Sequence, residues 1–347
     1  MNRLLIYWLI FLLVFIHTDI GSAARVVNIS KPPCLQGTFI QLDGELISWK
    51  KTQWKDFFEV MQQLNITSII VQWSVRGNDA FYASSQFHVI QTTPLNLILD
   101  MADSAGMRVT VGLSHDPAYW NAIANTDKRN YLAKRLKTNR QVALELLPQL
   151  VHHTSFVGWY IPDEVDSTDW RTARDQQHLF FYLQQLAQYL HELTPKAEIS
   201  ISGFASRETT PIALKQFWQD LLMHADTVRI VYFQDGIGAA NLTLSNLDEY
   251  FKAIKTAAAA THRDFVPVIE LFRQTAGEPL SRTEFAAVPT TLARLLKQIE
   301  IADRYAERHV VFALPNYMAS TGSVAATLLY NDFLRMMHTA NSECLDF

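Results

Sequence analysis

Cysteine is nearly missing. Two residues among 347 cannot build a disulfide scaffold or a multi-thiolate metal site. Glycine and proline, twelve of each, are dispersed, so no linker-like run divides the chain. Neither charge sign is in excess. Thirty Lys+Arg against 34 Asp+Glu leave a formal charge of −4, which gives no electrostatic case for a nucleic-acid partner. No G-x-G-x-x-G or Walker motif is present, which argues against a nucleotide cofactor. The absence of G-x-S-x-G argues against a serine hydrolase. The first strand candidate has no His, and His152-His153 falls at a helix end, so a metal hydrolase is unsupported as well. Neither a metal nor a cofactor is expected.

Apolar and aromatic residues, by contrast, are plentiful. Hydrophobic residues make up 49% of the chain and aromatics 12%, with eight Trp, enough for a large core and for indole rings in a core or binding surface. At the start, Arg3 precedes an apolar run from Leu4 to Ile16, followed by Gly21-Ser22-Ala23-Ala24. That run is too short to span a bilayer comfortably but fits a secretory signal. The expectation is a signal peptide over residues 1–24, cleaved after Ala23 or Ala24. The mature domain, 25–347, is then secreted or periplasmic, without stable membrane insertion and as a monomer. In such an oxidising compartment Cys34 and Cys344 are expected to form a bridge tying the two ends together; two unrelated thiols are the alternative.

Beyond the signal, β-branched runs alternate with amphipathic stretches. Strands are expected at Gly37–Leu42, Ser68–Trp73, Met107–Leu113, Phe156–Ile161, Glu198–Ser202, Thr227–Phe233, Phe265–Leu271 and Val310–Leu314. Helices are expected at Thr52–Leu64, Pro94–Ala105, Arg129–His153, Gln176–Leu193, Pro211–His224, Ser245–Thr261, Thr290–Tyr305 and Ser323–Met337. Within them apolar residues recur at helical spacing, as at Leu179, Leu183, Leu186 and Leu190. Eight βα units in series predict an α/β fold of one domain, a closed (β/α)8 TIM barrel. An open doubly wound sheet is the runner-up.

In such a barrel the chemistry lies at the C-terminal strand ends. Those ends carry Asp43, Gln72 with Trp73, His115 with Trp120 nearby, Asp163 with Glu164, Gln234 with Asp235, Glu270, and Asn316 with Tyr317. A rim of aromatic rings beside carboxylates and amides suits a poly- or oligosaccharide, whose C–H faces stack while its hydroxyls hydrogen-bond. Glu164 and Glu270 each end an apolar strand, where an unpaired carboxylate is costly to bury. Across the barrel they would suit a double-displacement glycosidase, one as nucleophile and one as acid and base. Ion pairing with Arg76 or Arg273 is the competing structural explanation. Asp166 and Asp169 read as helix caps, whereas Trp170 falls near the strand-four end.

The two glutamates resemble the pair of glycoside hydrolase clan A, and the resemblance implies Glu164 as acid/base and Glu270 as nucleophile. Gly37-Thr38-Phe39-Ile40-Gln41, Ile70-Val71-Gln72-Trp73, the run Gly158 to Asp166 followed by Trp170, Phe233 to Gly238, and Ile269-Glu270-Leu271-Phe272 are together similar to an uncharacterised family of secreted bacterial TIM-barrel proteins taken to be glycoside hydrolases. One departure is Asp163, where many clan A enzymes have Asn before the acid/base; if close, its charge would raise the pKa of Glu164. The expectation is a glycoside hydrolase with a retaining mechanism. A non-catalytic glycan-binding barrel, or a polysaccharide lyase or epimerase, are the alternatives.

Overall fold

The computed structural model describes residues 34–206, 208–277 and 285–339. The expected signal peptide and Cys344 lie outside the described residues. Eight parallel strands close into a barrel: β1 (Gly37–Ile40), β2 (Ser68–Val71), β3 (Arg108–Gly112), β4 (Phe156–Asp166), β5 (Glu198–Phe204), β6 (Ile230–Gln234), β7 (Asp264–Glu270) and β8 (Val310–Phe312). Each pairs with the next, and β8 closes on β1 with Val310 opposite Gly37. The surrounding helices are α1 (Lys51–Gln63), α2 (Pro94–Ala105), α3 (Lys128–Leu150), α4 (Ala173–Leu193), α5 (Pro211–His224), α6 (Leu247–Ala260), α7 (Leu292–Ala302) and α8 (Val324–Thr339). The fold is a (β/α)8 TIM barrel, as the alternation predicts.

Helix starts follow their local chemistry. Thr172, Thr210 and Thr291 accept backbone N–H groups of Asp175, Ala213 and Arg294 with their side chains, satisfying donors with no partner inside the helix. Pro94 and Pro211 open their helices, where the missing N–H costs nothing.

Two apolar layers hold the barrel. The lumen is filled by Phe39, Ile70, Tyr160, Ile230, Tyr232, Val266, Val268 and Val310. Phe39 meets Tyr160 and Tyr232 edge-on, each at 5.5 Å between centroids. Since β1 pairs with neither β4 nor β6, those rings touch across the lumen. The intervening strand residues, such as Ile69, Val71, Trp159 and Ile161, turn outward and join the helices in the larger core. Strand alternation therefore assigns every residue of a strand to lumen or outer layer.

Three local departures shape the mouth. β4 runs on to Asp166, beyond the end expected at Ile161, and its pairing with β5 shifts register between Ile161 and Val165. A short helix, Tyr119–Asn125, sits after β3. β7 is followed by an antiparallel pair, Phe272–Ala276 with Ala286–Pro289.

Candidate active site

The lumen phase continues upward from the apolar plug to a polar layer. Gln72 lies two residues beyond Ile70, Gln234 two beyond Tyr232, and Glu270 two beyond Val268; Glu164 stands above Tyr160 on the extended end of β4. Three of them, Gln72, Glu164 and Gln234, are joined by hydrogen bonds. Gln234 Nε2 donates to Glu164 Oε1 at 2.9 Å, and Gln72 Nε2 donates to the same oxygen at 3.4 Å. Tyr119 O–H anchors the Glu164 carbonyl from the short helix at 2.9 Å. The half-buried Glu164 carboxyl is pushed up to about 7 by desolvation, against the opposing pull of the Gln234 amide. At neutral pH it therefore holds a proton much of the time.

Glu270 is buried, at 2% exposure. Its Oε2 accepts the Ala239 backbone N–H at 2.9 Å. Burial and then the neighbouring Asp235 charge raise its pKa; the Gly238 and Ala239 amides and Arg294 oppose the rise. The end of β6 and the loop that follows thus reach both glutamates, Glu164 through Gln234 and Glu270 through Ala239. The half-buried Tyr317 is pushed up to about 12 by burial, then by the charges of Asp43 and Glu270. Burial also raises Asp43, while Arg76 pulls it down.

Trp120 is half-buried and packs against Phe204 at 5.5 Å, forming an aromatic wall beside the Glu164 end of β4. On the opposite side Tyr317 packs against Phe272 at 5.4 Å. His115 stacks on Trp73 at 4.7 Å, and burial pulls its imidazole down to about 4, so it is neutral at neutral pH. Asn316 is exposed on the short helix Leu314–Tyr317.

Three residues expected to meet sugar face the outer layer instead. Trp73 is 3% exposed and donates its indole N–H to the Leu42 carbonyl; it packs under the rim and offers no open platform. Asp163 is 1% exposed and ion-pairs with Arg135 of α3 at 2.8 Å. Tyr182 of α4 also donates to Asp163, and Arg135 reaches Ser114. Asp235 is fully buried behind Glu270, bonded to Gln298 of α7. All three follow or precede a lumen residue by one position, and alternation turns them away. Trp170, placed near the rim by sequence, is likewise fully buried. Asp166 caps the short turn after β4 by accepting Thr168 N–H.

Arg135, Gln298 and Arg294 were not among the residues singled out from sequence. A signal existed for the first two. Arg135 shares the buried α3 face with Leu132, Asn139 and Val142, and Gln298 shares that of α7 with Leu295, Ile299 and Ala302. A polar residue on an apolar helix face must find a buried partner. Among the described residues no three of His, Cys, Asp or Glu converge to hold a metal ion.

Solved structures with this architecture carry glycosidase names. A "putative alpha-L-fucosidase" from Bacteroides thetaiotaomicron VPI-5482 superposes with a TM-score of 0.76 at 17% identity, covering 94% of this chain and 99% of that one. The intracellular xylanase TsXylA of Thermoanaerobacterium saccharolyticum superposes at 0.52 with 14% identity, covering 87% and 99%. The beta-galactosidase of Marinomonas ef1 does so at 0.55 with 10% identity, covering 89% of this chain and 61% of that one. What this chain shares with them is the fold, a (β/α)8 TIM barrel.

Within that class the chain belongs to the DUF4434 family, a domain of unknown function, whose profile matches residues 35–324. A protein of Escherichia coli (strain K12), "Uncharacterized protein YbcH", is 27% identical over 205 residues, 58% of this chain. The match spans 65% of that relative's length, under two thirds of it.

Proposed function

We propose that this protein is a glycoside hydrolase acting on a poly- or oligosaccharide. Glu164 is the acid and base, and Glu270 the nucleophile of a retaining double displacement. The observation that carries this reading is the segment Gln234–Ala239, which hydrogen-bonds to both glutamates at the lumen mouth. A pKa near 7 suits a group that must protonate a leaving oxygen and then take a proton from water. The amide grip on Glu270 supports its ionised form, the form that attacks the anomeric carbon. Aromatic walls on both sides, Trp120 with Phe204 and Tyr317 with Phe272, fit the C–H faces of sugar rings. The 17%-identical fucosidase-named structure and the xylanase support the reaction class without naming this protein's sugar.

The test is incubation of the mature protein with a panel of poly- and oligosaccharides, with mass analysis of products and Glu270→Gln as control. New reducing ends of retained anomeric configuration, lost in the control, are the expected result. Unsaturated products would assign a lyase instead.

One observation favours a second reading. Glu270 is nearly inaccessible and its pKa is raised, which fits a glycan-binding barrel without turnover. Glycan binding with no product from the wild type would select it.

The proposal also includes export, with residues 1–24 as the signal and Cys34 paired to Cys344. No described helix is long and apolar enough to cross a membrane.

A further inference from the structure

The buried carboxylate of Asp235 has no route to a substrate, yet its position is over-determined. Its Oδ1 accepts the Ile237 backbone N–H at 3.1 Å. Its Oδ2 accepts the Gln298 side-chain N–H and, at 3.4 Å, the backbone N–H of Glu270 itself. Gln298 also donates to the Glu270 carbonyl at 3.2 Å. Arg294 holds Gln298 Oε1 at 3.1 Å and donates to the same Glu270 carbonyl at 3.1 Å. A single carboxylate therefore joins the end of β6, the loop behind it, β7 and α7.

The loop matters because it carries the amide that grips Glu270. Gly236 adopts φ +64°, a left-handed turn suited to glycine. Gly238 then lies so close to β7 that an added Cβ would sit 2.4 Å from the Phe272 carbonyl and 2.8 Å from Glu270 Oε2. Only a bare backbone fits there, and the next residue, Ala239, supplies the N–H to Glu270 Oε2.

We infer that Asp235 is the positioning residue for Glu270: it clamps the loop bearing the Ala239 amide onto the strand bearing Glu270, and Gln298 locks it in that place. As a statement about catalysis this rests on Glu270 being the nucleophile; as a statement about Glu270 itself it does not. The groups facing Glu270 are Asp235 from the start of the loop after β6, Arg294 from α7, Tyr317 from the short helix after β8, and the Gly238 and Ala239 amides. Asp235 disfavours the Glu270 anion by its charge, while the loop it clamps favours that anion by hydrogen bonding.

The clamp has a signature that simple loss of packing lacks. Replacing Asp235 by Asn removes the charge while its remaining side-chain oxygen can still accept the Ile237 N–H that holds the loop, so Glu270 should ionise at lower pH. Gly238→Ala should lift the loop and its amide, so Glu270 should ionise at higher pH. The measurement is a pH titration of the intact protein labelled with 13C at glutamate Cδ, the Glu270 resonance being identified by its loss in Glu270→Gln. The expected result is a Glu270 midpoint shifted down by about one pH unit or more in Asp235→Asn and up in Gly238→Ala. A midpoint unmoved in a folded Asp235→Asn, or moved the same way by both changes, overturns the proposal. If Asp235→Asn does not fold, Gly238→Ala decides alone, and an unmoved midpoint there overturns the clamp. No glycan enters this titration, so a failed hydrolysis assay would refute the nucleophile role and leave the positioning result standing.

Discussion

The mouth of the lumen and the layer just outside it are built from adjacent residues, yet they obey different chemistry. Gln72, Glu164 and Gln234 reach the mouth, where both amides donate to the Glu164 carboxyl. Their immediate neighbours Trp73, Asp163 and Asp235 are buried between strands and helices, each tied to a partner. The mouth keeps polar groups only partly satisfied, with a carboxyl held near 7. The outer layer holds its carboxylates with buried partners, Asp163 with Arg135 and Asp235 with Gln298, as a low-dielectric interior requires. One step along a strand separates a group available for chemistry from one that holds the frame.

The contrast is sharpened first by the glutamates. Glu164→Gln and Glu270→Gln should each lower kcat about 10³-fold or more on a glycan cleaved by the wild type, with the fold retained. Steady-state rates checked beside circular dichroism would show it. Wild-type activity should also fall as pH rises through about 7, where Glu164 loses its proton.

Next in size is the frame. Asp163→Ala leaves Arg135 as a buried charge without its carboxylate and should cost about 3–5 kcal/mol in urea unfolding. Adding Arg135→Met should recover part of that loss. A surface-like cost below about 1 kcal/mol for Asp163→Ala would erase the distinction between the two layers.

A smaller effect runs the other way. Glu164 has a folded pKa raised from its ordinary 4.5 to about 7. Its protonated form is favoured in the fold, and that contribution is complete below about pH 4.5 and lost as pH rises through 7. Glu164→Gln should therefore match the wild type near pH 4 and exceed it by about 1–3 kcal/mol at pH 8. Denaturant melts at the two pH values test the sign.

Smallest is Trp73→Phe, which keeps a ring against His115 and loses the N–H to Leu42. About 1 kcal/mol of stability and an unchanged KM for glycan are expected. A large rise in KM would return Trp73 to the binding surface.

The order of strands and helices was legible because each βα unit switches from β-branched runs to a helical apolar period, as in Phe265–Leu271 followed by Thr290–Tyr305. The strand ends carrying Glu164 and Glu270 were legible for the same reason. Which member of each adjacent polar pair faces the lumen was not. Strands in this barrel are apolar on both faces, so Val157, Trp159, Tyr160 and Ile161 give no alternation to read. The phase emerges only from which rings meet Phe39. Likewise, the extension of β4 to Asp166 depends on a register shift against β5 that no local pattern announces.

The Arg135–Asp163 pair has a consequence for how this chain can change over evolutionary time. Replacing Asp163 by Asn alone would strand a buried guanidinium, while replacing Arg135 alone would strand a buried carboxylate. Each single step passes through a destabilised protein, so the two positions are free to drift only together. A lineage that acquired this pair beside its acidic residue would tend to keep it, whatever sugar its mouth came to recognise.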